Sequence, residues 1–309
     1  SACHGVGGRG QSREVVGFDT PLPDFTDCSF NSREPSADWG SIAHDGGPAR
    51  GFSQLMPAFG DALSSREIEL AVEHIKGFCD ERDSWPSGDL NLPRAFFTTK
   101  AFVEDEAVAF TSVTAGDDQQ VMTKLTYETR VGKLGRVEAI LPFAFLEKAD
   151  SDGDWTGGIG DMVLATKWVM AHSRRNGSIF SGGLEAVLPT GRKDRGLGKE
   201  VLFFEPFLAY GQLLPLDSFV QLHVGAELST DPDKAGHEAF WRLATGMTFA
   251  QSRGRGRAWS PMIEVLGATE LEEGASPKWD VVPQLQVSLP TRQHILLCLG
   301  ARIPVTDFD

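Results

Sequence analysis

Cys3 and His4 stand side by side in Ser1-Ala2-Cys3-His4-Gly5, a thiol next to an imidazole. The pair is the back half of a C-x-x-C-H haem-attachment motif, whose first cysteine would sit immediately before Ser1. A thiolate at residue 3 adds to a haem vinyl group as a thioether, which holds the neighbouring imidazole close enough to ligate the iron axially. The competing reading is an ordinary surface Cys-His pair near a frayed terminus. A haem held this way needs a second axial ligand, and methionine thioether is the usual partner of histidine in electron carriers. Met56 is the candidate, within Gly51-Phe52-Ser53-Gln54-Leu55-Met56-Pro57-Ala58-Phe59-Gly60. Pro57 removes a backbone donor and keeps Leu55-Met56 extended, a rigid setting for a ligand. The bland role for Met56 is a gap-filling core methionine.

The elements around these residues are helical. Ser64 and Glu67 form a capping box, and Ile68, Ala71, Val72 and Ile75 recur on one face at helical spacing. Cysteine and histidine first, methionine loop next, apolar-faced helix last: this order resembles a class I cytochrome c over residues 1 to 80. The resemblance implies a small all-α domain carrying covalent haem c, with Cys3 as thioether anchor and His4 and Met56 as iron ligands. It also implies export, since bacteria attach haem to such motifs outside the cytoplasm. That compartment permits disulfides, and Cys28 and Cys79 flank the haem region as either a bridge or two separate thiols. Trp39 and Arg50, between the ligands, are candidates to pack on the macrocycle or reach its propionates. Cys298 sits in an apolar alternating run and reads as a small packing residue.

The 309 residues carry a formal net charge of -14, which argues against nucleic acid as a partner because a polyanion is repelled. No apolar run approaches the roughly 18 residues of a membrane helix. There is no H-E-x-x-H, P-loop or G-x-S-x-G. Asp150-Ser151-Asp152-Gly153-Asp154 begins like a calcium loop but lacks the closing glutamate. His44, in Ile42-Ala43-His44-Asp45, is the one candidate distal base for a haem enzyme and reads instead as a solvated side chain.

After the polar, proline-punctuated stretch from Asp80 the helical period gives way to a period of two beyond about residue 94. Val121, Leu125, Tyr127 and Val131 interleave with Met122, Lys124, Thr126, Glu128 and Arg130. Val220, Leu222, Val224, Ala226 and Leu228 alternate with Gln221, His223, Gly225 and Glu227. Trp279 to Leu289 and Ile295 to Ile303 continue the pattern. A soluble sandwich hides its apolar stripe, whereas a membrane barrel turns it to lipid. Runs of about 12 residues, longer than the roughly five or six of ordinary strands, favour the membrane version. So do short turns alternating with long polar loops, and charges such as Lys124, Glu128, Arg130, Glu138, Lys167, Glu185 and Glu264 on the polar phase.

The expectation is therefore multidomain: a small all-α cytochrome c unit at 1–80, a linker at 81–104, and an antiparallel up-and-down transmembrane β-barrel at 105–309. About eleven runs are present and bacterial barrels close with even numbers, so about twelve strands are expected, the last beyond Asp309; a strand near Ala95–Phe97 is the competing repair. Gly158-Ile159-Gly160-Asp161, Leu188-Pro189-Thr190-Gly191-Arg192 and Gly196-Leu197-Gly198 look like the barrels annotated for the MetA pathway of phenol degradation. Haem unit plus barrel resembles the fused cytochrome–porins of iron-oxidising bacteria. That resemblance implies an electron carrier, not an enzyme, in the outer membrane, with the haem unit on the periplasmic side and a periplasmic electron-transfer protein as partner. A channel for small solutes with a haem docking or sensing module is the alternative.

Overall fold

The computed structural model describes residues 2–17, 21–114, 119–147, 155–250, 258–289 and 295–306. The acidic loop at 150–154 and the turns at 253–257 and 291–293 lie outside them. Four helices come first: α1 (Arg13–Val16), α2 (Cys28–Asn31), α3 (Ser36–Asp45) and α4 (Ser65–Lys76). The capping box forms as its residues dictate, with Ser64 Oγ accepting from Glu67 N and Glu67 Oε2 from Ser64 N. Of the predicted face, Ile68 and Val72 are buried, Ile75 is half-buried and Ala71 is exposed. Lys76 is buried instead, its ammonium donating to Glu34 O at 2.8 Å and lying 5.4 Å from the Trp39 ring. A disulfide joins Cys28 on α2 to Cys79 just beyond α4, with Cα atoms 5.1 Å apart.

The rest is one strongly curled antiparallel sheet, nearly a barrel. Its strands are β1 (Glu106–Thr114), β2 (Gln119–Val131), β3 (Gly135–Glu147), β4 (Trp155–Ile159), β5 (Met162–Ser173), β6 (Ser178–Leu188) and β7 (Phe203–Leu214). They continue as β8 (Ser218–Ser229), β9 (Glu238–Met247), β10 (Phe249–Ala250), β11 (Ala258–Glu270), β12 (Lys278–Leu289), β13 (Ile295–Gly300) and β14 (Ile303–Pro304). Eleven of them form a single up-and-down path from β1 to β13, while β4, β10 and β14 extend β3, β11 and β12 locally. No ladder joins β1 to β13 among the described residues. Because neighbours alternate in direction along that path, β1 and β13 run the same way. Direct closure would therefore be parallel, unlike every other pairing in the sheet.

The period-two pattern sets which face each side chain takes. On β2, Met122, Lys124, Thr126 and Arg130 line the concave interior, while Leu125 and Tyr127 stand exposed on the convex face. Convex positions on β5 to β8 are Leu164, Trp168, Met170, Leu184, Leu208, Leu222 and Val224, all exposed. The apolar core lies inside the curl. Leu90, Ala101, Phe102 and Val103 pack there against Val169, Ile179, Phe207, Ala209 and Phe240.

The 81–104 stretch therefore does more than connect. Its first part binds the helical unit: Asp89 caps α3 by accepting from Ser36 N at 2.6 Å and Ser36 Oγ at 3.0 Å. Gly88 donates its N–H to Ser32 O, and a Cβ at Gly88 would stand 2.4 Å from Arg33 O, so only glycine fits. Its second part threads the concave interior without forming a strand at Ala95–Phe97.

The helical unit rests on the short-turn end of the sheet. Glu73 on α4 is gripped by Arg82 and, from the β5–β6 turn, by Arg174. Lys133 in the β2–β3 turn pairs with Glu81, and Arg130 lies 5.6 Å from the Trp85 ring. No helix among the described residues is long and apolar enough to cross a membrane.

Candidate functional site

Residues 3 to 11 close into a loop that holds the thiol and imidazole. Gly10 N donates to His4 O at 3.0 Å and Gln11 N to Cys3 O at 2.8 Å. Gly8 at φ +74° lets the loop lie on Phe78, whose ring would be 2.5 Å from a Cβ there. Cys3 is a free, half-buried thiol. The His4 ring lies 4.8 Å from that of Phe25, which in turn sits 5.5 Å from Trp39 on α3. His4 Nδ1 is buried with no hydrogen-bond partner. Burial pushes the His4 pKa down from its ordinary value.

Met56 hangs on a different element, a loop folded against the C-terminal end of α3. Gly47 N donates to Met56 O at 3.1 Å and Met56 N to Ser53 O at 3.2 Å. The side chain is half-buried. Around it Phe52, Leu55, Phe59 and Leu63 stand exposed, in a unit whose buried apolar residues are chiefly Phe25, Ile68, Val72 and Cys79. His44 belongs to the same corner: its Nδ1 is 2.5 Å from Asp45 Oδ1, and its ring occupies the space a Cβ at Gly60 would need.

The orphaned imidazole nitrogen has a free thiol beside it in the chain, and the fringe of unburied apolar side chains belongs to the separate Met56 loop. Trp39 makes its contacts with Phe25, Phe30 and Lys76. Of Arg50 only the backbone is described.

The concave interior is the second chemically loaded region, and the sequence reading missed what fills it. Glu264 on β11 accepts from three successive amides, Phe96 N at 2.8 Å, Phe97 N at 3.1 Å and Thr98 N at 2.7 Å. Lys167 on β5 donates to the carbonyls of Lys100 and Phe102. Ser181 binds Ala101 O, Gln221 binds Pro93 O and Arg242 binds Phe97 O, at 2.5, 2.8 and 2.7 Å. The one available sequence signal was the apolar composition of 95–103, too low in charge for a solvated linker.

Below this lies a charge cluster. Carboxylate oxygens of Glu104, Glu106 and Glu128 fall within 4.8 Å of one another, the spacing of a cation site. Arg94 already pairs with Glu106 at 2.6 Å and Glu128 at 2.5 Å, Lys100 with Glu104, and Arg136 with Glu128. Protein cations thus neutralise the cluster.

A cavity of about 3000 Å³ runs beside the threaded segment, lined by Arg33 and Asp38 of the helical unit at one end and by Asp161 and Lys199 at the other. Glu185 and Glu205, directly opposite each other on β6 and β7, face it together with Lys124 and Arg242.

No family model matches the chain, and no curated protein matches it either. The resemblances carried by its motifs stand on those residues alone.

Proposed function

We propose that the chain is a monohaem c-type electron carrier mounted on an outer-membrane barrel, moving single electrons at or across that membrane. The observation that carries the membrane half is the inversion of the sheet: charges inside, a continuous apolar convex face outside, as lipid demands. The haem half is supported by the unpartnered Nδ1 of His4 beside the free Cys3 thiol, and by the unburied apolar fringe of the Met56 loop.

Haem c, when bound, supplies reversible one-electron chemistry. The protein's own share is positional. Cys3 would anchor the group, and the His4 imidazole and the soft sulfur of Met56 would hold its iron. Phe25 fixes the plane of the imidazole, and the loop closed at Gly10 and Gln11 keeps thiol and imidazole together. The helical unit sits at the short-turn end, which in outer-membrane barrels faces the periplasm, where a soluble donor or acceptor would meet it.

The full-length protein purified from a host that attaches haem c tests this. A low-spin spectrum with a weak sulfur-to-iron charge-transfer band near its red end is expected, lost in Met56→Ala. A high-spin spectrum, or one indifferent to Met56→Ala, removes the carrier. The cavity beside the threaded segment favours a second reading, a channel for small solutes with a haem docking or sensing module. Liposomes decide between them: solute entry independent of haem supports the channel, and electron entry that needs haem supports the carrier.

A further inference from the structure

We infer that residues 94–104 are a plug, held in the barrel by a socket that grips its backbone as well as the Arg94 and Thr98 side chains, and that releasing this hold widens the passage. The socket is built from charges of opposite sign placed along the segment. The Glu264 carboxylate takes the amides of Phe96, Phe97 and Thr98, and the Lys167 ammonium takes the carbonyls of Lys100 and Phe102. Both side chains are 0 % exposed. Burying either charge without enough partners is costly; Lys167 draws its hydrogen bonds from the segment, and Glu264 has Gln284 on the wall but takes its other donors from the segment. The dependence is mutual. The segment has no helix or strand of its own, and its polar backbone relies on the wall for partners.

Two arrangements follow. With the segment seated, Ala101, Phe102 and Val103 fill the side of the interior under β5 to β9, and the remaining cavity is confined mainly to the side of β1 to β3, β12 and β13. With it withdrawn, Glu264, Lys167, Arg242 and His223 would line a hydrated lumen. The segment is continuous with Asp89, which caps α3, so the helical unit is mechanically tied to the plug. A barrel closed in this way supports an electron carrier without leaking solutes. The inference rests on the membrane-spanning reading of the sheet and on nothing about haem.

The test uses the full chain with Cys298→Ser in planar bilayers, read as potassium chloride conductance. Glu264→Gln with Lys167→Met is expected to raise conductance several-fold over the parent. Ala101→Cys with Ser181→Cys, added to that double variant, is expected to cross-link and return conductance to the parent level, because Ser181 Oγ sits 2.5 Å from Ala101 O. A thiol-blocked sample of the same protein should stay at the raised level.

A cross-link that fails to form in detergent-solubilised protein with an intact sheet overturns the seated plug. A cross-link that forms while the double variant conducts like its parent overturns the gate. If the cross-link forms but no variant enters the bilayer, the membrane reading falls and the gate with it, while the socket stands. Should the double variant not fold, amide hydrogen exchange of 96–98 in the parent serves: protection matching the surrounding strands supports the socket, and free exchange overturns it.

Discussion

In the helical unit the exposed apolar side chains gather most densely in one stretch, Phe52 to Leu63, around a candidate ligand, with Val6, Val15, Phe30 and Leu70 exposed singly elsewhere; in the sheet they cover the convex face from β2 to β13. Charges differ in the same way. The helical unit keeps most of its ionic groups in water, whereas the sheet buries Glu128, Arg136, Lys167 and Glu264. Each region departs from the ordinary soluble pattern, and on the proposed reading each does so for its own reason. The helical unit lacks enough core of its own and leaves a place for a cofactor. The sheet has a solvent on its outside that rewards apolar surface and an interior that must satisfy polar groups. Covalent cross-linking stabilises the first; ladders and buried charge networks stabilise the second.

The sharpest way to break that contrast is to remove the cross-link. Cys28→Ser with Cys79→Ser opens a 51-residue separation, and the loop-entropy model gives a loss of about 4 kcal/mol for the helical unit. Amide hydrogen exchange of α4 in rising urea should show that loss, with the exchange of the sheet amides unmoved; a common shift in both would mean the regions unfold as one.

The next effect belongs to the sheet. Leu125, 46 % exposed at the middle of β2, faces outward beside cavity-lining Thr126. Leu125→Arg should cost about 2–4 kcal/mol in a bilayer if it faces lipid, against a change within about 0.5 kcal/mol for an exposed site in water. Thr126→Arg, turned to the cavity, should be mild. Folding titrations of the two variants into lipid vesicles measure the difference, and equal costs would deny the convex face its lipid.

The smallest effect lies between the regions. Two guanidiniums, Arg82 first and then Arg174, hold the Glu73 carboxyl down at about 2 from its ordinary 4.5. A depressed carboxyl contributes stability above its unfolded value and loses it as pH falls through the folded one. Glu73→Gln should therefore cost under about 1 kcal/mol at neutral pH, since the site is solvent-screened. Its difference from wild type should fade from about pH 4.5 down to about 2. Thermal midpoints across that range check it; a difference that persists below pH 2 would remove the ionic clamp.

Much of the fold was legible. The capping box at Ser64 and Glu67 and the alternation on β2, β8 and β12 are local patterns, and each recurs in the structure where the residues place it. The polar phase of the strands was read as wet. Of the residues so read, Lys124 and Glu185 line the cavity, whereas Glu264 and Lys167 bind peptide groups. Sequence could not show that half-buried His4 packs on Phe25 or that its Nδ1 is enclosed, because that contact joins segments with no shared period.

The order of hydrophobic and polar residues by itself determined strand, helix and which face each side chain takes, since those follow from the 2.0 and 3.6 periods of the backbone. Only the tertiary structure decided what fills the concave side. Phe96 meets Glu264 across 168 residues of sequence, and no local propensity encodes a contact between an irregular segment's amides and a carboxylate so far along the chain.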